Sequence, residues 1–259
     1  MPRTARRPVK AYRQDPTLAI RDLTRALERD PHNPAIYRNR GIIYFMLLND
    51  DDHAIADLTQ ALTLAPDDAE ALAHRGFLYG RKGDFPASFA DLDRAIALDP
   101  DLALAYLYRG EVRLSHGDAE RAIVELGQAI ALDPGLALAY ACRGQAHLSD
   151  GDAGRAIVEL DQAIALDPQL ADAYALRAFA YGSRGESERA LPDVDRAIEL
   201  GTRYGQVYYT GALQAYMGGD NARATSLLQR ALQLPLPPET RGRVEGLLQR
   251  VQPPEGEAG

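Results

Sequence analysis

Few side chains in this chain could do chemistry, and their spacing decides what they can do. His147, Ser149 and Asp150 lie within four positions, which invites a nucleophilic triad. Neighbours at a helix end do not converge on one atom, and a triad is defined by convergence. The five histidines, His32, His53, His74, His116 and His147, never recur at i+3 or i+4, so metal-ligand spacing is missing. Asp50, Asp51 and Asp52 could open a calcium loop, but no glycine follows at the sixth position and no glutamate at the twelfth. They fit a solvated turn that caps a helix. Cys142 is the single cysteine, which excludes an intrachain disulfide and suits a small packing residue better than a nucleophile. There is no P-loop, no G-x-G-x-x-G and no G-x-S-x-G. The expectation is a protein that is not an enzyme and takes no metal or cofactor.

Charge is placed more regularly. An arginine recurs as Arg40, Arg75, Arg109, Arg143 and Arg177, and an acid recurs as Asp57, Asp91, Glu125, Glu159 and Asp193. Both series stop together, where Gly211 and Leu227 stand. Their joint loss predicts pairing, one contact per unit, within a unit or across a junction. A planar guanidinium suits this because it can grip a carboxylate with two hydrogen bonds. An exposed pair would stabilise by about 0–1 kcal/mol, so alignment is the expected role. A row of arginines for an anionic ligand is the weaker reading, since each has an acid set against it.

Residues 1–13 hold Arg3, Arg6, Arg7, Lys10 and Arg13 and no acid. The whole chain of 259 residues carries −8, so the remainder carries −13, from 24 basic and 37 acidic residues. That balance argues against a nucleic-acid-binding body. The basic stretch reads as a disordered leader, or else as a tail for nucleic acid or lipid headgroups. It has no apolar h-region, and no apolar run approaches the ~20 residues of a membrane span. A cytoplasmic protein is expected, with no membrane partner. Arginine outnumbers lysine 27 to 2, which reads as the coding bias of a GC-rich, bacterial genome.

The elements that must position these residues are repeats. Residues 103–134, ALAYLYRGEVRLSHGDAERAIVELGQAIALDP, return 34 positions later as ALAYACRGQAHLSDGDAGRAIVELDQAIALDP. A period of that size fixes the architecture before anything else. Each copy predicts two short helices, 103–115 and 119–132. Gly117 can end the first by taking positive φ, Asp118 can cap the second, and Asp133-Pro134 ends it. Small residues Gly110, Ala122 and Ala129 mark close helix approach, with Tyr106, Ile123, Leu126, Ile130 and Leu132 beside them.

Tyr106, Arg109-Gly110, Ala122, Leu126, Ala129 and Pro134 resemble the signature of the tetratricopeptide repeat. Arginine stands where that family often has leucine, and Arg113 where it often has tyrosine. The resemblance implies an all-α solenoid, a right-handed superhelix of antiparallel helix pairs. The chain then divides into the leader at 1–14, a half repeat at 15–33, and six repeats at 34–68, 69–102, 103–136, 137–170, 171–204 and 205–238. A capping helix at 239–251 and a disordered tail at 252–259 follow. Pro86 falls harmlessly in a first turn, whereas Pro192 lies deeper and predicts a kink or a late start.

In this family a concave groove is lined by the first helix of each repeat. Carried over, its positions are Arg38, Ile42, Phe45 and Met46, then Glu70, Phe77 and Arg81, then Leu107, Glu111 and Leu114. Ala141, Gln145 and Leu148 follow, then Asp172 and Phe179, then Tyr209, Leu213 and Tyr216. The twin copies agree with this placement. Between 102–134 and 136–168, 25 of 33 residues are identical, and six of the eight differences fall in the first helix and its turn. Members that bind acidic chaperone tails use a set of lysine, asparagine and arginine; here Arg38, Ile42, His74, Leu104 and Tyr108 hold those places, so that carboxylate clamp is absent. The implied function is a non-catalytic scaffold that binds a peptide segment of a partner protein in the groove. A structural module that self-assembles through the array ends or groove is the alternative. Nucleic-acid contact by the leader ranks below both.

Overall fold

Asp-Pro pairs and Gly-Asp turns punctuate the chain into helices. The computed structural model describes residues 15–251, and the expected leader and tail lie outside them. Among the described residues it has no strand. The first seven helices are α1 (Pro16–Arg29), α2 (Pro34–Leu48), α3 (Asp51–Leu64), α4 (Ala69–Arg81), α5 (Phe85–Leu98), α6 (Ala103–Ser115) and α7 (Ala119–Leu132). The next seven are α8 (Ala137–Ser149), α9 (Ala153–Leu166), α10 (Ala171–Ser183), α11 (Ser187–Glu199), α12 (Gly205–Met217), α13 (Asn221–Leu232) and α14 (Pro238–Val251). The fold is an all-α solenoid of helix pairs.

Local chemistry explains the boundaries. Asp15 caps α1 by accepting from the Leu18 N–H, with Pro16 in the first turn. Asp50, Asp68, Asp84, Asp118, Asp152 and Asp220 cap α3, α4, α5, α7, α9 and α13 in the same way. The three aspartates at 50–52 are thus a capping turn, entered through Asn49 at φ 51°. Gly117 sits at φ 84°, the left-handed turn expected between α6 and α7. Before Pro100, Pro134 and Pro168, residues Asp99, Asp133 and Asp167 are extended and end their helices. Pro192 delays nothing: α11 starts at Ser187 and runs through it. Pro192 and Glu188 are both exposed, so the Glu188 carbonyl that loses its N–H partner can bond water instead.

The helices form two compact units, divided between Pro134 and Gly135. In the first, α1 packs on α2, and the pairs α2–α3, α4–α5 and α6–α7 stack in sequence, with α4 also against α6. In the second, the pairs α8–α9, α10–α11 and α12–α13 stack likewise, and α14 closes on α12 and α13. Each second helix drives one large side chain into its partner: Leu58, Leu92, Leu126, Leu160 and Leu228 are fully buried, and Val194 nearly so. Each such leucine stabilises by about 2 kcal/mol. A glycine or alanine on the first helix makes room for it. A Cβ on Gly110 would lie 2.7 Å from Leu126 Cγ, and one on Gly144 would lie 2.8 Å from Leu160 Cγ.

Candidate functional site: the first-helix faces

The recurring charges form the most regular polar feature. Arg40 meets Asp57 at 2.6 Å, Arg75 meets Asp91 at 2.7 Å, and Arg109 meets Glu125 at 2.7 Å. Arg143 meets Glu159 and Arg177 meets Asp193, both at 2.7 Å. Each pair therefore lies within a repeat. Three arginines grip with both Nε and Nη2: those on Asp57, Asp91 and Asp193. The glutamates take one short bond each, because the longer side chain reaches the guanidinium end-on. Arg40, Arg75, Arg109 and Arg177 also reach back one helix pair, to Thr24 and Thr59 hydroxyls or to Asp93 and Asp161 carboxylates. Each lies over a tyrosine ring of its own helix, at 5.6 to 5.8 Å. The Asp193 hydrogen bonds hold the Arg177 guanidinium above its ordinary pKa, against the opposing effect of burial. Each arginine thus has a carboxylate of its own, so the series aligns repeats and leaves no row of free arginines for an anion.

In the first unit the first helices α2, α4 and α6 join aromatic side chains into a ladder. Phe45 meets Phe77 edge-on at 5.6 Å, and Phe77 stacks on Tyr108 at 4.3 Å. Tyr108 Oη lies 3.2 Å from His74 Nδ1, and both residues are buried. Burial pushes the His74 imidazole down to about 4, helped by the Arg38 charge and opposed by Asp68. Burial likewise raises the Tyr108 phenol. The Arg81 guanidinium covers Phe45 at 5.5 Å and is held by Asn49 and Asp51.

The expected contact residues divide by exposure. Met46 is 58% exposed, the most open of the set. Ile42, Phe45, Phe77, Glu111 and Leu114 are half-buried. Arg38 bonds Asp68 at 2.8 Å and approaches Glu70 at 3.4 Å, so these two expected contacts are partly spent on each other. Leu107 and Ala141 do not belong: they are 2% and 3% exposed. The same place in the repeat is buried as Ala73 and Ala175, and opens only at the ends of the array, as Arg38 and Tyr209. Its small residues were the sequence signal for packing between first helices.

In the second unit the corresponding faces belong to α8, α10 and α12. Gln145 accepts from Tyr204 Oη at 3.4 Å, and Phe179 meets the Tyr204 ring edge-on at 6.3 Å. Leu148 is half-buried. Asp172 accepts from Thr202 Oγ1 at 2.9 Å and from Arg203 Nε at 2.8 Å, so it ties down the turn before α12. Tyr209 packs against the terminal core, while Leu213 and Tyr216 are exposed. Met217, 80% exposed beside Tyr216, was missed by position counting.

A family model described as tetratricopeptide repeat matches residues 8–69 and 75–137. A solved tetratricopeptide repeat protein from Parabacteroides merdae aligns over 93% of this chain and 94% of its own, with TM-score 0.65 and 18% identity. The matched repeats are tetratricopeptide repeats. A chain of the APC/C heterotetramer Cut9–Hcn1 superposes with TM-score 0.76 at 18% identity, over 92% of this chain. The present tetratricopeptide chain spans 46% of that protein's length. The MamA protein is similar over 64% of this chain and 91% of its own, at 28% identity and TM-score 0.51. No curated protein matches the sequence. The tetratricopeptide fold is a scaffold for protein–protein interaction, and no described helix is long and apolar enough to cross a membrane.

Proposed function

We propose that this tetratricopeptide chain is a non-catalytic scaffold that captures a peptide segment of a partner protein on its first-helix faces. The observation that carries the reading is the apolar strip of α2 and α4. There Met46 stands open beside its chain neighbour Phe45, Phe45 meets Phe77, and Arg81 is fixed above Phe45. Exposed apolar strips with a polar rim are the usual mark of an interaction site. Rigid aromatic anchors lose little entropy on binding, which suits them to hold an extended or helical segment. The ladder keeps those rings in place before a partner arrives, which lowers the ordering cost. The rim carries both signs, with Arg81 and Arg38 against Glu70 and Glu111, so it favours a segment of mixed charge around apolar residues.

The test is selection of peptides from a random displayed library against the full chain, followed by hydrogen exchange of the complex. Capture on this face slows exchange in α2, α4 and α6. Protection confined to the second helices, or no enriched peptide, contradicts it.

A further inference from the structure

A cleft of about 330 Å³ opens among α10, α11 and α12, lined by Phe179, Gly182, Ser183, Ser187, Leu191 and Thr210, with Gln206 and small apolar neighbours completing it. That is room for about ten waters at roughly 30 Å³ each, and falls at the small end of ligand pockets. Its origin is visible inside the chain itself. The same positions occur 102 residues earlier, as Phe77, Gly80, Arg81, Phe85, Phe89 and Tyr108. There the space is filled: Tyr108 stacks on Phe77 at 4.3 Å, and a Cβ on Gly80 would run into the Val112 side chain. Here Thr210 replaces the stacking tyrosine, Ser187 and Leu191 replace two phenylalanines, and a Cβ on Gly182 would meet nothing within 4 Å. The phenylalanine is retained and its face-on stacking partner is gone, while Tyr204 meets it edge-on.

We propose that this cleft is an anchoring pocket for an aromatic side chain of the partner's peptide, tyrosine above all, which stacks on Phe179 where Tyr108 stacks on Phe77. The proposal rests on the peptide-capture reading above. The cleft's own chemistry selects the ring. No lining residue is charged, so a lysine or glutamate head would lose its water without gaining an opposite charge. Thr210 Oγ1 donates to the Gln206 carbonyl at 3.1 Å, and Ser183 Oγ donates to the Ala180 carbonyl at 2.8 Å. These two hydroxyls have spent their protons and offer only lone pairs, and Ser187 adds a third hydroxyl to the lining. A ligand that meets them must donate, which a phenol does and a phenylalanine ring does not.

The experiment titrates the full chain, methyl-labelled at Leu191, Val194, Val207 and Thr210, with N-acetyl-tyrosinamide, and with N-acetyl-lysinamide as control. The tyrosine probe should move these methyl signals saturably, and the lysine probe should not. Thr210→Tyr and Leu191→Phe rebuild the filling of the earlier repeat. Each should weaken probe binding at least tenfold without lowering the melting temperature. If Thr210→Tyr fails to fold, Leu191→Phe decides by the same readout. Unmoved methyls, equal response to both probes, or full binding by a folded filled variant overturns the pocket. If displayed peptides bind the chain but the tyrosine probe leaves these methyls unmoved, the pocket alone fails. If the probe binds and no peptide is ever selected, the pocket stands and the peptide-capture reading fails.

Discussion

Phe77 and Tyr108 stack with ring centroids 4.3 Å apart and planes 16° from parallel, and the Tyr108 hydroxyl passes the contact on to His74. The two rings come from successive first helices, so the stack fixes α4 against α6 while Phe77 keeps one side toward solvent. Such a pair contributes about 0.5–1.5 kcal/mol beyond the area it buries.

His74 makes that contact sensitive to pH. Its folded pKa is about 4, against an ordinary 6.5, so the folded state favours the neutral ring. The unfolded chain binds the proton first as pH falls. Stability from this group is complete above pH 6.5 and is lost progressively down to about 4, a loss of about 3 kcal/mol. Urea unfolding of wild type and His74→Gln at several pH values should show the extra acid sensitivity in wild type only.

Ser88 is fully buried and its hydroxyl has no partner. The equivalent residues of the other repeats are Ala54, Ala122, Ala156, Ala190 and Ala224. Ser88→Ala should stabilise the protein by about 1 kcal/mol, by removing an unpaired buried polar group. The urea midpoint should rise with an unchanged slope.

Gly144 leaves room for Leu160, whereas the fifth repeat pairs Ala178 with the shorter Val194. Gly144→Ala should therefore cost about 1–3 kcal/mol through overpacking. Gly144→Ala with Leu160→Val should recover most of that, and the non-additivity of the cycle measures the contact.

Arg177 and Asp193 leave 19% and 6% of their side chains exposed, so neither is a surface group. Asp193→Leu alone leaves the guanidinium only the more exposed Asp161 and should cost about 2–4 kcal/mol, while Arg177→Leu with Asp193→Leu should cost far less. The sixth repeat already makes the double replacement, with Gly211 and Leu227. Denaturant melts of the three variants give the coupling energy.

The period, the helix ends and the charge pairs were legible because each is a local rule repeated at fixed spacing. Asp118 caps where an aspartate before a helix should, and Arg109 finds Glu125 because both series keep step. The ladder was not legible. Phe45, Phe77 and Tyr108 are 32 and 31 residues apart, off the period of 34, because each occupies a different turn of its helix. Counting by period instead placed Leu107 and Ala141 on the face, where neighbour packing had already claimed them. The cleft beside Phe179 was hidden for a related reason: it arises from three substitutions spread over two helices, none unusual alone.

Peptide capture by the first helices is tested most directly by the affinity of one library-selected peptide for three proteins, read by calorimetry. Met46→Glu changes an exposed residue of the strip, and Val124→Glu changes an equally open residue of a second helix. Binding should fall at least tenfold with Met46→Glu and stay within twofold of wild type with Val124→Glu. The reverse pattern, or equal binding by all three, contradicts the account.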